Sequence, residues 1–252
     1  MLANELELLE KVKAFFGVGS IVINDKAGSV NYIVRDKISL GVIKEHFIKY
    51  LLRGTKFLDF SDFVRALTIM EQNLHRSEEG VNSLVRIAEG MNTYRKDLSN
   101  IPPIHTIKSN SEYVPLNGNY NNGFIAGDGS LYLRTKSNFG SMGIQISQHV
   151  NNSYLLREIA DYFNPALKVS VHGKDSTQIT LGGGKLWKET ISPHFIKYPL
   201  HGTKTTRLAK LQEIAAILES KEHLERVDRV LIFKPEFKER ILKIWNDVPS
   251  TP

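Results

Sequence analysis

The sequence contains no cysteine, and no apolar run in its 252 residues approaches the roughly 18 residues that a membrane-spanning helix needs. The first absence excludes disulfides and thiolate metal sites, and it fits a reducing compartment or an organelle that makes the protein itself. The second predicts a chain with no membrane partner. The opening stretch MLANELELLEKVKAFF is an acidic amphipathic helix without a basic flank or a small-residue cleavage site, so it is not typical of a signal or transit peptide.

Basic residues outnumber acidic residues mainly in the second half of the chain. The formal net charge is +6. Residues 1–98 carry 14 Lys and Arg against 13 Asp and Glu, whereas residues 99–252 carry 19 against 14. This excess is typical of a protein that binds a polyanion, usually nucleic acid. The charge alone is equally compatible with a mildly basic protein that binds no polyanion.

One part of the sequence occurs twice. HFIKYLLRGTK, from His46 to Lys56, recurs as HFIKYPLHGTK, from His194 to Lys204, with nine of 11 positions identical at an offset of 148. Upstream, LLEKVKAFFGVGSIVIN matches LLREIADYFNPALKVSV at an offset of 147. These matches predict two consecutive copies of about 100 residues. Two copies are too few for a solenoid, and a pseudo-symmetric pair suits a ligand with approximate twofold symmetry, such as duplex DNA.

Periodicity predicts the order of elements in the second copy. The stretch YNNGFIAGDGSLYLR indicates a helix that ends at Asp128 and passes into the strand SLYLRTK. GIQISQH completes a hairpin, NSYLLREIADYF is an amphipathic helix, and a second hairpin (LKVSVHG, TQITLGG) and further helices follow. The first copy begins at the middle helix, so we expect the start of the first repeat to lie upstream of Met1. An acid at a helix C-terminus is unusual, because the macrodipole disfavours negative charge there.

The stretch NNGFIAGDGS, from Asn121 to Ser130, resembles the LAGLIDADG motif of intron-encoded homing endonucleases. QISQH, FGVGSI and both HF.KY.L.GTK segments are similar to the single-chain, two-repeat class found in fungal mitochondrial introns. The resemblance implies an α+β fold in which two pseudo-symmetric αββαββα half-domains form a saddle. It implies a first repeat over 1–97 without its motif helix, a linker over 98–118 and a complete second repeat over 119–252.

The resemblance also implies metal-assisted hydrolysis of phosphodiester bonds in DNA. By this likeness Asp128, together with Gly127, holds Mg²⁺, a hard ion that takes oxygen ligands. The ion stabilises charge on the phosphate and helps to lower the pKa of the attacking water. Gln148 matches the polar residue that orders water near the site. Lys204, with its repeat counterpart Lys56, matches the active-site lysine. Without the resemblance, a plain Asp-Gly turn explains Asp128.

Strand alternation predicts which side chains face DNA, although each of them is also explained as an ordinary surface residue. The outward positions of the second copy are Tyr132, Arg134, Lys136, Gln145, Ser147, His149, Lys168, Ser170, His172, Gln178 and Thr180. Those of the first copy are Asn24, Asn31 and Arg35. Arg and Lys suit guanine edges, and Asn and Gln suit adenine. Alternation puts Gln148 on the face of Ile144 and Ile146, so we expect a bulge or the strand end to turn it toward the site.

Three further features have structural explanations. LGGGKLW lacks the Ser or Thr and the glycine spacing of a phosphate loop, and it indicates a strand-to-helix turn. His46 and His194 occupy equivalent positions, where we expect packing or capping. Gly123 and Gly127 lie one turn apart, and by the resemblance they let motif helices approach closely.

Three functions fit the sequence. The first is a site-specific DNA endonuclease that acts on a duplex target. The second is a maturase that binds the host intron RNA through phosphates and shape. The third is an inactive remnant, which fits the presence of a single motif acid, Asp128, in a family that uses one acid per strand. The resemblance implies a mitochondrial, organelle-encoded protein that is a monomer if full length and a dimer if truncated.

Overall fold

The computed structural model describes residues 1, 3–92, 116–135, 140–227 and 230–247. Contacts divide the chain into two units, Met1–Val114 and Pro115–Pro252. This division falls within the linker predicted at 98–118, most of which lies outside the described residues. In the described part of the chain, no helix has the length and apolarity required to cross a membrane.

The first unit has the helix, hairpin and helices predicted for the first copy. Its elements are α1 (Leu6–Phe16), β1 (Ser20–Asn24), β2 (Ser29–Ile33), α2 (Lys37–Lys49), α3 (Thr55–Glu71) and α4 (Glu78–Glu89). Strands β1 and β2 are antiparallel, with Val22 opposite Asn31. Asp36 begins α2, since its carboxylate accepts a hydrogen bond from the backbone N–H of Ser39 at 2.9 Å.

The second unit contains the order of elements predicted for the second copy. They are α5 (Gly118–Asp128), β3 (Gly129–Arg134), β4 (Ser141–His149), α6 (Ser153–Phe163), β5 (Ser170–Val171), β6 (Ser176–Gly182), α7 (Gly184–Leu186), α8 (Ser192–Lys197), α9 (Lys204–Glu219), β7 (Leu224–Val227), β8 (Val230–Phe233) and α10 (Pro235–Asn246). Strands β3 to β6 form one antiparallel sheet in the order β3-β4-β6-β5. Gly183, with φ 94°, turns the chain from β6 into α7, which confirms the strand-to-helix turn.

The core of the second unit lies between one face of the sheet and the helices. Ile144, Ile146 and Leu181 are fully buried and share that face, because successive strand residues alternate. Helix α6 contacts β4 and β6 and adds Leu156 and Ile159 to the same cluster. Burying one such side chain contributes about 1.5–3 kcal/mol. Among the described residues this cluster has 22 buried apolar side chains, whereas the first unit has four: Leu9, Val30, Leu67 and Ile87.

Strand β5 is shorter than the strand predicted over 167–173. Arg157 explains the difference, because its guanidinium donates a hydrogen bond to the carbonyl of Leu167 at 2.5 Å. This carbonyl is thus directed to α6, and pairing with β6 begins only at Ser170. Lys168 lies outside the two-residue strand, so its predicted strand position is wrong. His172 follows the strand directly, and its N–H donates to the carbonyl of Ser176 at 2.8 Å, which continues the register of β5 and β6.

The hairpin of β7 and β8 is absent from the sequence-based prediction. It pairs Leu224 with Phe233 and Val227 with Val230. The intervening sequence is Asp-Arg, which lacks the glycine typical of a two-residue hairpin turn. With no turn signal, the short apolar run VLIF cannot be distinguished from part of a helix.

Two histidines pack in equivalent aromatic clusters, as predicted for His46 and His194. His194 is 6% exposed and accepts or donates a 3.2 Å hydrogen bond with the hydroxyl of Tyr162. Its ring lies 4.9–5.6 Å from the rings of Tyr162, Phe163, Phe195 and Tyr198. The ring of His46 lies 4.9–5.4 Å from those of Phe15, Phe16, Phe47 and Tyr50. His194 is therefore a core side chain, whereas His46 is only partly buried in the equivalent cluster.

Acidification is expected to destabilise the second unit through His194. Burial lowers the pKa of His194 to about 4 from 6.5. The unfolded chain therefore binds the proton more tightly, so this contribution to stability is complete above about pH 6.5 and is lost as the pH falls toward 4, by up to about 3 kcal/mol. Urea unfolding at pH 7.0 and 4.5 measures the loss. His194→Gln should show a smaller loss than the unmodified chain.

The control for this experiment is His46→Gln, which changes the equivalent cluster of the first unit. Carboxylates that titrate in the same pH range are present in all three proteins, so their effect on stability cancels in the comparison. An unchanged pH dependence in His194→Gln would contradict the assignment to this residue.

Candidate active site and nucleic-acid interface

Helix α5 passes directly into β3 and holds Asp128 at the junction. Asn117 begins the helix, since its side chain accepts a hydrogen bond from the backbone N–H of Tyr120 at 2.8 Å. At the other end, the N–H of Gly129 donates to the carbonyl of Ile125. A Cβ at Gly129 would lie 2.6 Å from that carbonyl oxygen, so the approach requires glycine. The junction therefore presents an exposed carboxylate at the C-terminal end of a helix.

Gln148 contacts Asp128 directly. Its Nε2 donates a hydrogen bond to Oδ2 of Asp128 at 2.6 Å. The expectation that a bulge or the strand end turns Gln148 is wrong, because the β4–β6 pairing runs without interruption through Gln148 and Thr177. Ile146 pairs with Gly129, so the next inward position of β4 lies beside the end of α5. Gln148 therefore reaches Asp128 from the buried face of the sheet.

Asn152 extends this chain of hydrogen bonds, and the sequence analysis did not single it out. Its Nδ2 donates to Oε1 of Gln148 at 3.4 Å, while Nε2 of Gln148 binds Asp128. Asn152 ends a short 3-10 turn, Val150–Asn152, between β4 and α6. Side chains in such a turn follow neither helix nor strand periodicity, so the sequence pattern does not identify Asn152.

Lys204 lies at the same helix end, although 77 positions separate it from Gly127. Its ammonium donates hydrogen bonds to the carbonyl oxygens of Gly127 at 2.9 Å and Ile125 at 3.3 Å. These are carbonyls of the last turn of α5, where the helix dipole is negative. The structure thus brings Asp128, Gln148 and Lys204 together at the end of α5.

Lys56, the repeat counterpart of Lys204, has different partners in the first unit. Its ammonium lies 3.3 Å from Oδ2 of Asp59 and donates to Oδ1 of Asn92 at 3.3 Å. Asp59 is buried and also accepts a hydrogen bond from the backbone N–H of Asn92 at 2.9 Å. Asp59 was not among the predicted site residues. A carboxylate is therefore among the partners of Lys56, and main-chain carbonyls of α5 are among the partners of Lys204.

The end of α5 offers two oxygen donors of the kind that a hard cation binds. Asp128 offers a carboxylate oxygen and Gly127 a carbonyl oxygen, which are ligand types of Mg²⁺ and Ca²⁺. The ammonium of Lys204 already binds the Gly127 carbonyl, so this position accommodates positive charge. Within the described residues, no three His, Asp or Glu side chains are grouped in a way that suits a metal ion.

One face of the sheet carries most of the predicted DNA-contacting side chains. The strand register places Tyr132, Arg134, Gln145, Ser147, His149, Ser170, Gln178 and Thr180 on the face opposite the core. The register also adds Ser130 and Ser176, which the sequence analysis omitted. We call this set the polar sheet face.

Side chains of the polar sheet face bind one another. Ser147 donates to Oε1 of Gln178 at 3.3 Å, and Nε2 of Gln178 donates to Thr180 at 3.4 Å. The guanidinium of Arg134 lies 4.7 Å from the ring centre of Tyr132. Burial raises the pKa of Tyr132, whose hydroxyl is a protonated donor at neutral pH with or without this shift. These contacts orient donors and acceptors before any ligand arrives.

The remaining predicted contacts have other positions. Lys136 lies outside the described residues. In the first unit, Asn31 and Asn24 share one face of the β1–β2 hairpin, and Arg35 is exposed two residues beyond β2. The side chain of Asn24 accepts a hydrogen bond from the N–H of Ala27 at 3.1 Å, so it caps the turn between the strands.

Replacing Gly123 by alanine is expected to stabilise the second unit by about 0.5–1 kcal/mol, because glycine is costly inside a helix. Among the described residues, a Cβ at Gly123 would meet no heavy atom within 4 Å outside the backbone of its own helix. Gly129→Ala is the opposing control and should destabilise, because its Cβ would meet the carbonyl of Ile125. Thermal melts measure both changes. A lower melting temperature for Gly123→Ala would show that another surface packs against this glycine, as the resemblance implies.

Comparisons with known proteins agree with this architecture. A family model described as LAGLIDADG endonuclease matches residues 2–67 and 122–215. Two proteins of Neurospora crassa are similar. Probable intron-encoded endonuclease 3 is 24% identical over 87% of this chain and 44% of its own length, and probable intron-encoded endonuclease 2 is 25% identical over 80% and 48%. The chain therefore spans about half the length of these relatives.

Solved structures share the fold. The meganuclease I-CpaMI bound to uncleaved DNA has a TM-score of 0.79 at 23% identity, covering 99% of this chain and 86% of that one. The homing endonuclease I-LtrWI bound to target DNA has a TM-score of 0.81 at 21% identity, covering 99% and 85%. These similarities confirm the α+β fold of the two-repeat class. Because the family model matches regions in both copies of the repeat, the chain belongs to the LAGLIDADG endonuclease family.

Proposed function

We propose that this chain is a site-specific, intron-encoded DNA endonuclease that hydrolyses phosphodiester bonds with a divalent metal ion. The observation that carries the proposal is the meeting of Asp128, Gln148 and Lys204 at the end of α5. Asp128 immediately precedes β3, whose outward residues belong to the polar sheet face. Membership of the family and solved neighbours that are bound to DNA support the same function.

Each side chain has a definable task in this reaction. Asp128 and the Gly127 carbonyl would hold Mg²⁺, which when bound supplies Lewis-acid stabilisation of phosphate charge and a more acidic water. Gln148 orients the Asp128 carboxylate through its 2.6 Å hydrogen bond. Lys204 places a positive charge where negative charge grows on the phosphate.

The polar sheet face supplies recognition of the duplex. Its hydroxyl and amide groups present donors and acceptors to base edges, and Arg134 suits a guanine or a phosphate. We propose that a full-length chain acts on one target as a monomer, because one chain carries regions of both repeats. By likeness to the intron-encoded relatives we also propose a mitochondrial location.

The experiment that tests this function needs a target. Duplexes that bind the full chain are selected from a randomised plasmid-borne library and then offered in supercoiled form with Mg²⁺ or with EDTA. The proposal expects cleavage at one position with Mg²⁺ and none with EDTA. Tight binding of folded intron RNA without any cleavage of the selected duplexes would favour the maturase function instead.

A further inference from the structure

The ammonium of Lys204 occupies a cation position at the end of α5. It binds the carbonyl of Gly127 at 2.9 Å and that of Ile125 at 3.3 Å. The first of these carbonyls belongs to the residue that precedes Asp128. A divalent ion held by Asp128 and Gly127 would therefore lie next to the Lys204 ammonium.

Two cations at this helix end repel each other. The same negative charges attract the ammonium and the divalent ion. The last carbonyls of the helix carry partial negative charge, and the Asp128 carboxylate adds a full negative charge. The repulsion between a single and a double charge a few ångströms apart is substantial even in water. The ammonium has a flexible four-carbon stem and is able to move away, whereas the carbonyls are fixed in α5.

We propose that Lys204 serves as an internal counter-cation of the metal site, which leaves the Gly127 carbonyl when a divalent ion binds. The proposal rests on the proposed function, because it takes Asp128 and Gly127 as the metal ligands. Lys204 then lowers the affinity of the DNA-free protein for Mg²⁺. A phosphate that attracts the displaced ammonium would remove this penalty, so DNA and metal bind cooperatively.

The structure supplies a second consequence for the metal-free protein. Lys204 binds the Gly127 carbonyl in the last turn of α5, and cations near a helix C-terminus stabilise the helix. Removing the ammonium is therefore expected to lower the melting temperature without metal. The loss should shrink when Mg²⁺ is added, because the ion takes over the same position.

The test is a titration of MgCl₂ into the DNA-free full chain, followed by calorimetry, with thermal melts in parallel. Lys204→Met should bind Mg²⁺ about tenfold more tightly than the unmodified chain, as expected when a unit positive charge beside the ion is removed. Lys204→Gln, which keeps a donor but loses the charge, should also bind more tightly. The matched control is Lys210→Met. It removes the same charge from α9, where the ammonium binds the carbonyls of Trp245 and Asp247, and should leave the affinity unchanged.

Unchanged or weaker Mg²⁺ binding in both Lys204 variants would overturn the proposal, as would a failure of all proteins to bind Mg²⁺. Asp128→Asn, alone and combined with Lys204→Met, separates this result from the proposed function. It should abolish the binding in either background. Binding that survives Asp128→Asn would place the ion elsewhere and would contradict the proposed metal site, even if Lys204 affects affinity.

Discussion

Replacing Asp128 by Asn is expected to lower Mg²⁺-dependent cleavage by about a hundredfold or more while leaving duplex affinity within about threefold. The substitution keeps the size of the side chain and an oxygen that accepts from Gln148. It removes the charge that would hold the ion. The measurement combines single-turnover cleavage of the selected duplex with binding of the same duplex in Ca²⁺ or EDTA.

The control for Asp128→Asn is Asp161→Asn, which neutralises an exposed carboxylate on α6 that pairs with Arg157. It should cleave at the rate of the unmodified chain. Cleavage at that rate by Asp128→Asn would exclude Asp128 from the chemistry. Equal losses of cleavage and affinity would instead assign it to DNA binding.

Duplex binding is expected to weaken by about 10³–10⁵ between about 50 and 200 mM salt, if six to ten phosphates are contacted. Residues 99–252 carry a net charge of +5, and neutralising phosphates releases counterions. Fluorescence anisotropy across this salt range gives the slope. Arg134→Ala, on the polar sheet face, should reduce the slope by about one if it contacts a phosphate.

The matched control is Arg240→Ala on α10, a helix that packs against α9. It removes the same charge from a position outside the polar sheet face and should leave the slope unchanged. Affinity that does not depend on salt would contradict the phosphate contacts, and equal effects of both variants would indicate a general effect of net charge.

Parts of the site were accessible from the sequence because they depend on local order. The helix that ends at Asp128 and the alternation that groups Gln145 with Ser147 are properties of neighbouring residues. The duplicated segment identified Lys204 and Lys56 as equivalent positions. What those lysines contact is a tertiary property, and no repeat predicts that Lys56 would meet Asp59 while Lys204 meets carbonyls of α5.

The errors have equally specific causes. Alternation places Gln148 on the core face of β4, so a bulge was expected to bring it to the site. No bulge is needed, because the core face of β4 extends past Ile146 to the end of α5. Asn152 lies in a turn, where no periodic pattern marks an inward side chain. Lys168 was assigned to a strand that Arg157 interrupts by binding a nearby carbonyl, an interaction between groups ten positions apart.

The unequal cores of the two units have a consequence for the time scales of motion. Amides in α6, β4 and β6 are anchored by the 22-residue cluster, so they exchange with solvent deuterium only through the largest opening events. Four buried apolar side chains give the described part of the first unit far less protection. Asp128, Gln148 and Lys204 all stand on the slowly exchanging body. The hydrogen bonds of the Asp128 carboxylate and of the Lys204 ammonium therefore lie within the better protected unit.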